Sequence, residues 1–234
     1  MFKLHQQYNN MKAVRLLASF FHRCRQLKKR KMKKVLILAI GVLLAGAAKA
    51  QTFGIKGGAN FANIIKTGDE EFNTEIKTGF NAGIFADITI VSSLSFAPEL
   101  MFSQKGYKTS GTSLLFGPNE YSVTTNFIDL PILAKINASN KFSIVLGPQV
   151  SFLTSTTEKF SQGSDSYKNT IREENDNLKK SLFGGVGGIN IGLTDALSLQ
   201  GRYAIDFQKN NGNGTSETPL YKNQVFQASL AIKL

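Results

Sequence analysis

The sequence predicts an all-β fold: an eight-stranded antiparallel up-and-down transmembrane β-barrel with short periplasmic turns and long extracellular loops. Three observations lead there. Apolar residues recur at every second position through eight segments, the segments are joined by alternately short and long connections, and the mid-strand charges keep to one face.

The segments follow in chain order. Residues 52–63 carry the apolar row Phe53, Ile55 and Phe61, and residues 77–90 carry Phe80, Ile84, Ile88 and Ile90. Next, Leu94, Phe96, Leu100 and Phe102 oppose Ser95, Ala97, Glu99 and Ser103. Residues 121–137 present Ile128, Leu130, Ile132 and Ile136. In the fifth segment Phe142, Ile144, Leu146, Val150 and Phe152 oppose Ser143, Gly147, Gln149 and Ser151. Residues 181–194 show Phe183, Ile189, Ile191 and Leu193. The clearest alternation is at 197–208, where Leu197, Leu199, Tyr203, Ile205 and Phe207 oppose Ser198, Gln200, Arg202, Ala204, Asp206 and Gln208. The last segment sets Phe226, Ala228, Leu230, Ile232 and Leu234 against Gln227, Ser229, Ala231 and Lys233. Short joins fall at Val91-Ser92-Ser93, at Asn137-Ala138-Ser139-Asn140 and at Thr194-Asp195-Ala196, and long polar ones at about 64–76, 108–120, 157–180 and 209–221.

A soluble eight-stranded barrel has the same period with the faces exchanged, apolar inside and polar outside. The charges decide between them. Lys56, Asp87, Glu99, Lys105, Asp129, Lys135, Arg202, Asp206 and Lys233 all fall on the polar face, five basic and four acidic. A basic side chain facing lipid at mid-bilayer costs about 2–4 kcal/mol, so in a membrane barrel these nine are structural lumen charges. Their near balance of sign suits a lumen in which they pair, since buried ions need partners and hydrogen bonds. Eight strands leave an interior just wide enough for side chains to fill, so a filled lumen and not an open pore is expected.

The formal net charge of +12 belongs to the first 50 residues. They hold 12 of the 28 Lys and Arg, both histidines (His5, His22) and the single Cys24, and none of the 16 acids. Residues 51–234 carry 16 basic against 16 acidic residues, and no His, Cys or Trp. Met32-Lys33-Lys34, the apolar run Val35–Leu44 and the small-x-small site Ala48-Lys49-Ala50 read as a signal peptide over 32–50, cut after Ala50. The apolar run is too short for a transmembrane helix, which takes roughly 20 residues. Gln51 follows the cut where a lipid-bearing Cys would otherwise stand. Arg23, Arg25, Lys28, Lys29, Arg30 and Lys31 could form a basic surface patch. The alternative, favoured because a complete charged segment begins at Met32, is that residues 1–31 are a non-native or disordered basic extension. The expected organisation is therefore 1–31 extension, 32–50 signal peptide and 51–234 barrel domain, exported to the outer membrane of a Gram-negative bacterium.

Composition also bears on chemistry. A general base working near neutral pH is most often His, and the exported part has none. Without Cys, thiol nucleophiles and the usual nitrogen/sulfur zinc sites are also excluded. Glu99 and Asp129 could form a carboxylate pair across neighbouring strands, but in a lumen rich in Lys and Arg an ion-pair role is expected. Gly184-Gly185-Val186-Gly187-Gly188 continues into the strand-like Ile189-Asn190-Ile191 and not into a helix, so it is no phosphate loop. Asn210-Asn211-Gly212-Asn213-Gly214 is turn-forming and only loosely similar to a calcium loop. No catalytic residue, metal or cofactor and no nucleic-acid partner is expected.

Three stretches carry a family resemblance. Pro98-Glu99-Leu100-Met101-Phe102-Ser103-Gln104-Lys105-Gly106-Tyr107 resembles the third-strand signature of the PorT-like outer-membrane β-barrel proteins of Bacteroidota. Phe127-Ile128-Asp129-Leu130-Pro131-Ile132-Leu133-Ala134-Lys135 resembles that family's fourth strand, and Leu146-Gly147-Pro148-Gln149-Val150-Ser151-Phe152 is similar to its fifth. The resemblance spans 51–234. It departs at Leu234, where outer-membrane barrels often end in an aromatic residue. It implies an eight-stranded outer-membrane barrel, and the founding members are linked to protein secretion.

The expected function is thus a non-enzymatic, monomeric envelope or secretion-accessory barrel, its partners being outer-membrane lipid and envelope or secretion-complex proteins. A surface adhesion or ligand-binding barrel is the alternative. Its recognition would sit in the long loops, above all the charged 157–180, which has no specific binding residue to nominate.

Overall fold

A computed structural model describes residues 51–67, 73–113, 117–162, 165–172, 178–210 and 220–234. The chain separates into Met1–Gly46 and Ala47–Leu234, and every described residue lies in the second unit. The extension and leader expected over 1–50 lie outside the described residues.

The described residues form nine strands: β1 (Gln51–Lys66), β2 (Lys77–Val91), β3 (Leu94–Ser113), β4 (Gly117–Asn137), β5 (Phe142–Gln162), β6 (Asp165–Arg172), β7 (Ser181–Gly192), β8 (Leu197–Asp206) and β9 (Tyr221–Lys233). All pairings are antiparallel. Eight strands close a ring in the order β1-β2-β3-β4-β5-β7-β8-β9, sealed by β1 against β9. A closed ring leaves no unpaired edge, which is the condition for strands to cross lipid. β6 stands outside the ring, paired with the last eight residues of β5.

The hairpins at Ser92-Ser93, 138–141 and 193–196 lie at one end of the ring, with Leu234 bonded there to Phe53. Short turns mark the periplasmic end of such barrels. At the other end, two connections differ from expectation. The connections expected over 108–120 and 157–180 are largely strand: β3 and β4 remain paired up to Ser113↔Gly117, and β5 and β6 up to Gln162↔Asp165. The last strand begins at Tyr221, where the connection expected over 209–221 ends. β3, β4, β5 and β6 therefore rise together as a wall on one side of the barrel. These Ser/Thr-rich arms pair through backbone hydrogen bonds, with little apolar alternation to announce them.

The outward rows are apolar and exposed, as at Ile55, Ile84, Leu146, Ile189 and Leu230. Phenylalanines bound this belt at both ends. Phe53, Phe96 and Phe142 ring the short-turn end, and Phe61, Phe80, Phe102, Phe183 and Phe226 the other, with Phe80 and Phe102 rings 5.4 Å apart. Phe53 to Phe61 spans about 26 Å of strand at roughly 3.3 Å per residue. At a tilt of about 40° that is about 20 Å along the axis, close to the roughly 25 Å apolar band of outer-membrane barrels. On the wall, the outward row changes sign within one step: Phe102, Ile128 and Phe152 are followed by Gln104, Asn126 and Ser155. Gly106 in β3 takes φ +133°, and a Cβ there would lie 2.0 Å from the Val123 carbonyl oxygen, so glycine alone fits this close approach.

Candidate functional site: the charged lumen

Strand alternation turns one face of every ring strand inward, and the inward face is where the charges gather. On β1, Lys56 donates to Glu99 of β3 at 2.5 Å, both side chains buried. Arg202 of β8 lies 3.6 Å from the other Glu99 oxygen. It also donates to Asn190 of β7 at 2.7 Å and to Gln200 at 3.0 Å. One carboxylate thus bridges two cations, one from β1 and one from β8, which lies across the ring from β3.

A second cluster reverses the stoichiometry. Lys105 of β3 sits 3.4 Å from Asp129 of β4 and 3.6 Å from Asp206 of β8. It donates to Ser151 of β5 at 2.9 Å and rests 4.7 Å from the centre of the Phe127 ring. Asn223 of β9 completes Asp206 with a 2.6 Å bond. Both clusters together carry three cations and three anions, so the buried centre is neutral. Removing any one member would leave an uncompensated buried charge.

Neutral amides extend the network. Asn60 of β1 donates to Ser103 at 3.0 Å, Asn81 of β2 donates to Asn60 at 2.7 Å, and Ser229 of β9 donates to Asn81 at 2.8 Å. Every ring strand contributes at least one polar side chain to the interior. Glycines make the room: a Cβ at Gly188 would lie 2.2 Å from the Gly201 carbonyl oxygen and 2.8 Å from Arg202 Cδ.

The nine sequence-derived lumen charges divide into three groups. Lys56, Glu99, Lys105, Asp129, Arg202 and Asp206 are buried in the two clusters. Asp87 and Lys135 form a separate, partly exposed ion pair toward the short-turn end. Lys233 shares the inward phase but is exposed at the strand end, where the ring opens to solvent. It is therefore no part of the filled interior. Asp87, Lys135, Lys141, Arg202 and Lys233 border a recess of about 70 Å³ at that mouth. Glu99 and Asp129, weighed as a carboxylate pair, belong to different clusters, each held by its own cations. The described residues contain no group of three or more side chains suited to a metal ion. Of the 210–214 turn, only Asn210 is described, and it is buried with its side-chain oxygen Oδ1 accepting from the Tyr221 backbone N–H.

Apolar residues share the inward face, which sequence reasoning missed. Ala97, Leu133, Val145, Val186 and Ala204 form one buried cluster. Ile64, Tyr107, Val123 and Tyr221 form another at the long-loop end, with Tyr107 and Tyr221 rings 5.4 Å apart. Phe127, Leu153, Leu178 and Leu182 form a third. The signal was present in the runs Ile132-Leu133 and Ile144-Val145-Leu146, where consecutive apolar residues show that both faces are dry.

A closed antiparallel ring, an apolar outer belt between two rows of Phe and an inward ion network are together the architecture of an outer-membrane barrel. A family model described as "Outer membrane protein beta-barrel domain" matches residues 49–210. The chain belongs to this family. Its barrel accordingly lies in the outer membrane. No curated protein matches the sequence.

Among solved structures, Ail of Yersinia pestis is 9% identical, aligned over 80% of this chain and 100% of its own, with a TM-score of 0.45. Neisserial surface protein A is 14% identical over 80% of this chain and 100% of its own, with a TM-score of 0.47. OprG of Pseudomonas aeruginosa is 13% identical over 80% and 97%, at 0.38.

Proposed function

We propose that this protein is a non-enzymatic, non-conducting outer-membrane barrel of the PorT-like kind, acting as an envelope or secretion-accessory component after export and cleavage behind Ala50. One observation carries this reading. The lumen is crossed from wall to wall by Lys56–Glu99–Arg202 and Asp129–Lys105–Asp206, beneath the apolar cluster of Ile64, Tyr107, Val123 and Tyr221. Every cation there is committed to a carboxylate, which favours a rigid scaffold over transport or catalysis. A rigid barrel acts through its surfaces. Extraction in mild detergent followed by purification tests the accessory role: co-purification with other envelope proteins is expected, and a barrel that purifies alone as a monomer would refute it.

A second reading, surface recognition, is favoured by the wall of β3, β4, β5 and β6, which carries these strands beyond the apolar belt. Deleting residues 160–177 removes all of β6 and the last three residues of β5, and leaves the ring pairings of β5 with β7 in place. Loss of partner binding with retained insertion supports that reading; partner binding that survives the deletion counts against it.

A further inference from the structure

We propose that the outward face of the wall holds the phosphorylated saccharide headgroup of an outer-leaflet glycolipid, with Lys108 and Lys159 on the phosphate. Register partners across antiparallel strands share a face, and here they line up Lys108↔Ser122 and Ser122↔Lys159. Two lysines thus share one face with only the small Ser122 between them, a spacing suited to an anion from outside the chain. The acidic residues alongside are Glu120, 3.4 Å from Lys108 in an exposed pair, and Glu75, which bridges to Lys108 through the backbone. Among the described residues Lys159 and Lys77 have no ion-pair partner. Partial burial, and then Lys108 and Lys159, hold the Lys77 ammonium below its ordinary value against the opposing pull of Glu120.

Height selects the ligand. The row lies on the outward face that Phe102, Ile128 and Phe152 occupy at the edge of the belt. Lys108 stands six residues beyond Phe102 in β3, about 20 Å of strand at roughly 3.3 Å per residue and about 15 Å along the axis at a tilt of about 40°. Phospholipid headgroups add only about 5–7 Å to each side of the hydrocarbon core. Between belt and lysines lie Gln104, Asn126 and Ser155, then Gly106, Thr124 and Thr157. That interval is lined with amides and hydroxyls suited to sugar, and the basic row above it is suited to phosphate.

Native mass spectrometry of the full chain in detergent, with added bisphosphorylated lipid A as the probe, tests this. The wild-type protein is expected to retain the lipid, and Lys108→Gln/Lys159→Gln to retain at least tenfold less while keeping wild-type heat-modifiable gel migration. Lys141→Gln/Lys209→Gln, remote from the row, is expected to match wild type. Glu120→Gln, which releases Lys108 from its acidic neighbour, is expected to raise retention and serves should the double variant fail to fold. Equal retention by the double variant, lower retention by Glu120→Gln, or equal retention of the dephosphorylated lipid or of phosphatidylglycerol would overturn the proposal. Displacement by inorganic phosphate at matching concentration would overturn the assignment to a lipid.

Discussion

The same strands live in two solvents, and β3 shows both. Below Phe102 its outward residues are apolar and its inward residues are Ser95, Ala97, Glu99 and Met101; above Phe102 the outward residues are Gln104, Gly106 and Lys108, while Ser103, Lys105 and Tyr107 face inward. β3 keeps its pairing with β4 and its alternation through the boundary, β4 and β5 shift register there between Asn126 and Phe127, and the chemistry of the outward row changes. In the belt the outward side meets lipid and charge must hide in the lumen. In the wall it meets water or headgroups, and the charge moves outside. The outward row therefore reports the medium, and the inward row reports how the interior is filled.

The sharpest way to break this comparison is to remove a cation from each region. Lys105→Met strands Asp129 and Asp206 in the lumen, and breaking such a buried arrangement costs about 3–5 kcal/mol. Urea unfolding in lipid vesicles should show that loss, with most of it recovered when Asp129→Asn and Asp206→Asn are added. A stability within error of wild type would mean the cluster is hydrated. A lysine placed on the outward row comes next. Ile84→Lys in the belt should cost about 2–4 kcal/mol, whereas Thr124→Lys on the wall should stay within about 0.5 kcal/mol; equal losses would place the lipid boundary elsewhere. Gly106→Ala, forced into a positive φ against the Val123 carbonyl, should cost about 1–3 kcal/mol by the same assay. The smallest effect belongs to the exposed Lys108–Glu120 pair. Lys108→Met should change stability by at most about 1 kcal/mol.

Legibility in the sequence follows the same division. In the belt one face is lipid and the other polar lumen, so Leu199, Tyr203 and Ile205 against Gln200, Arg202 and Asp206 announce both strand and phase. On the wall both faces are largely polar, so segments such as Thr154–Lys159 and Asp165–Thr170 lose the period of two and look like loop, although β5 and β6 pair there. The ion partners lie beyond a single sequence altogether. Lys56 and Glu99 are 43 residues apart, and only ring closure and shear bring β1, β3 and β8 to one point. The apolar clusters inside the lumen hid for the opposite reason. Leu133 and Val145 occupy inward positions with apolar neighbours on either side, which alternation alone cannot assign.

The central claim is that the lumen is closed by its own charges. Single-channel recording of the purified, full-length barrel in planar lipid bilayers tests it most directly. A closed lumen predicts a flat trace at applied voltages, for wild type and for Lys108→Gln/Lys159→Gln alike; sustained, porin-like conductance steps from the wild-type protein would contradict it.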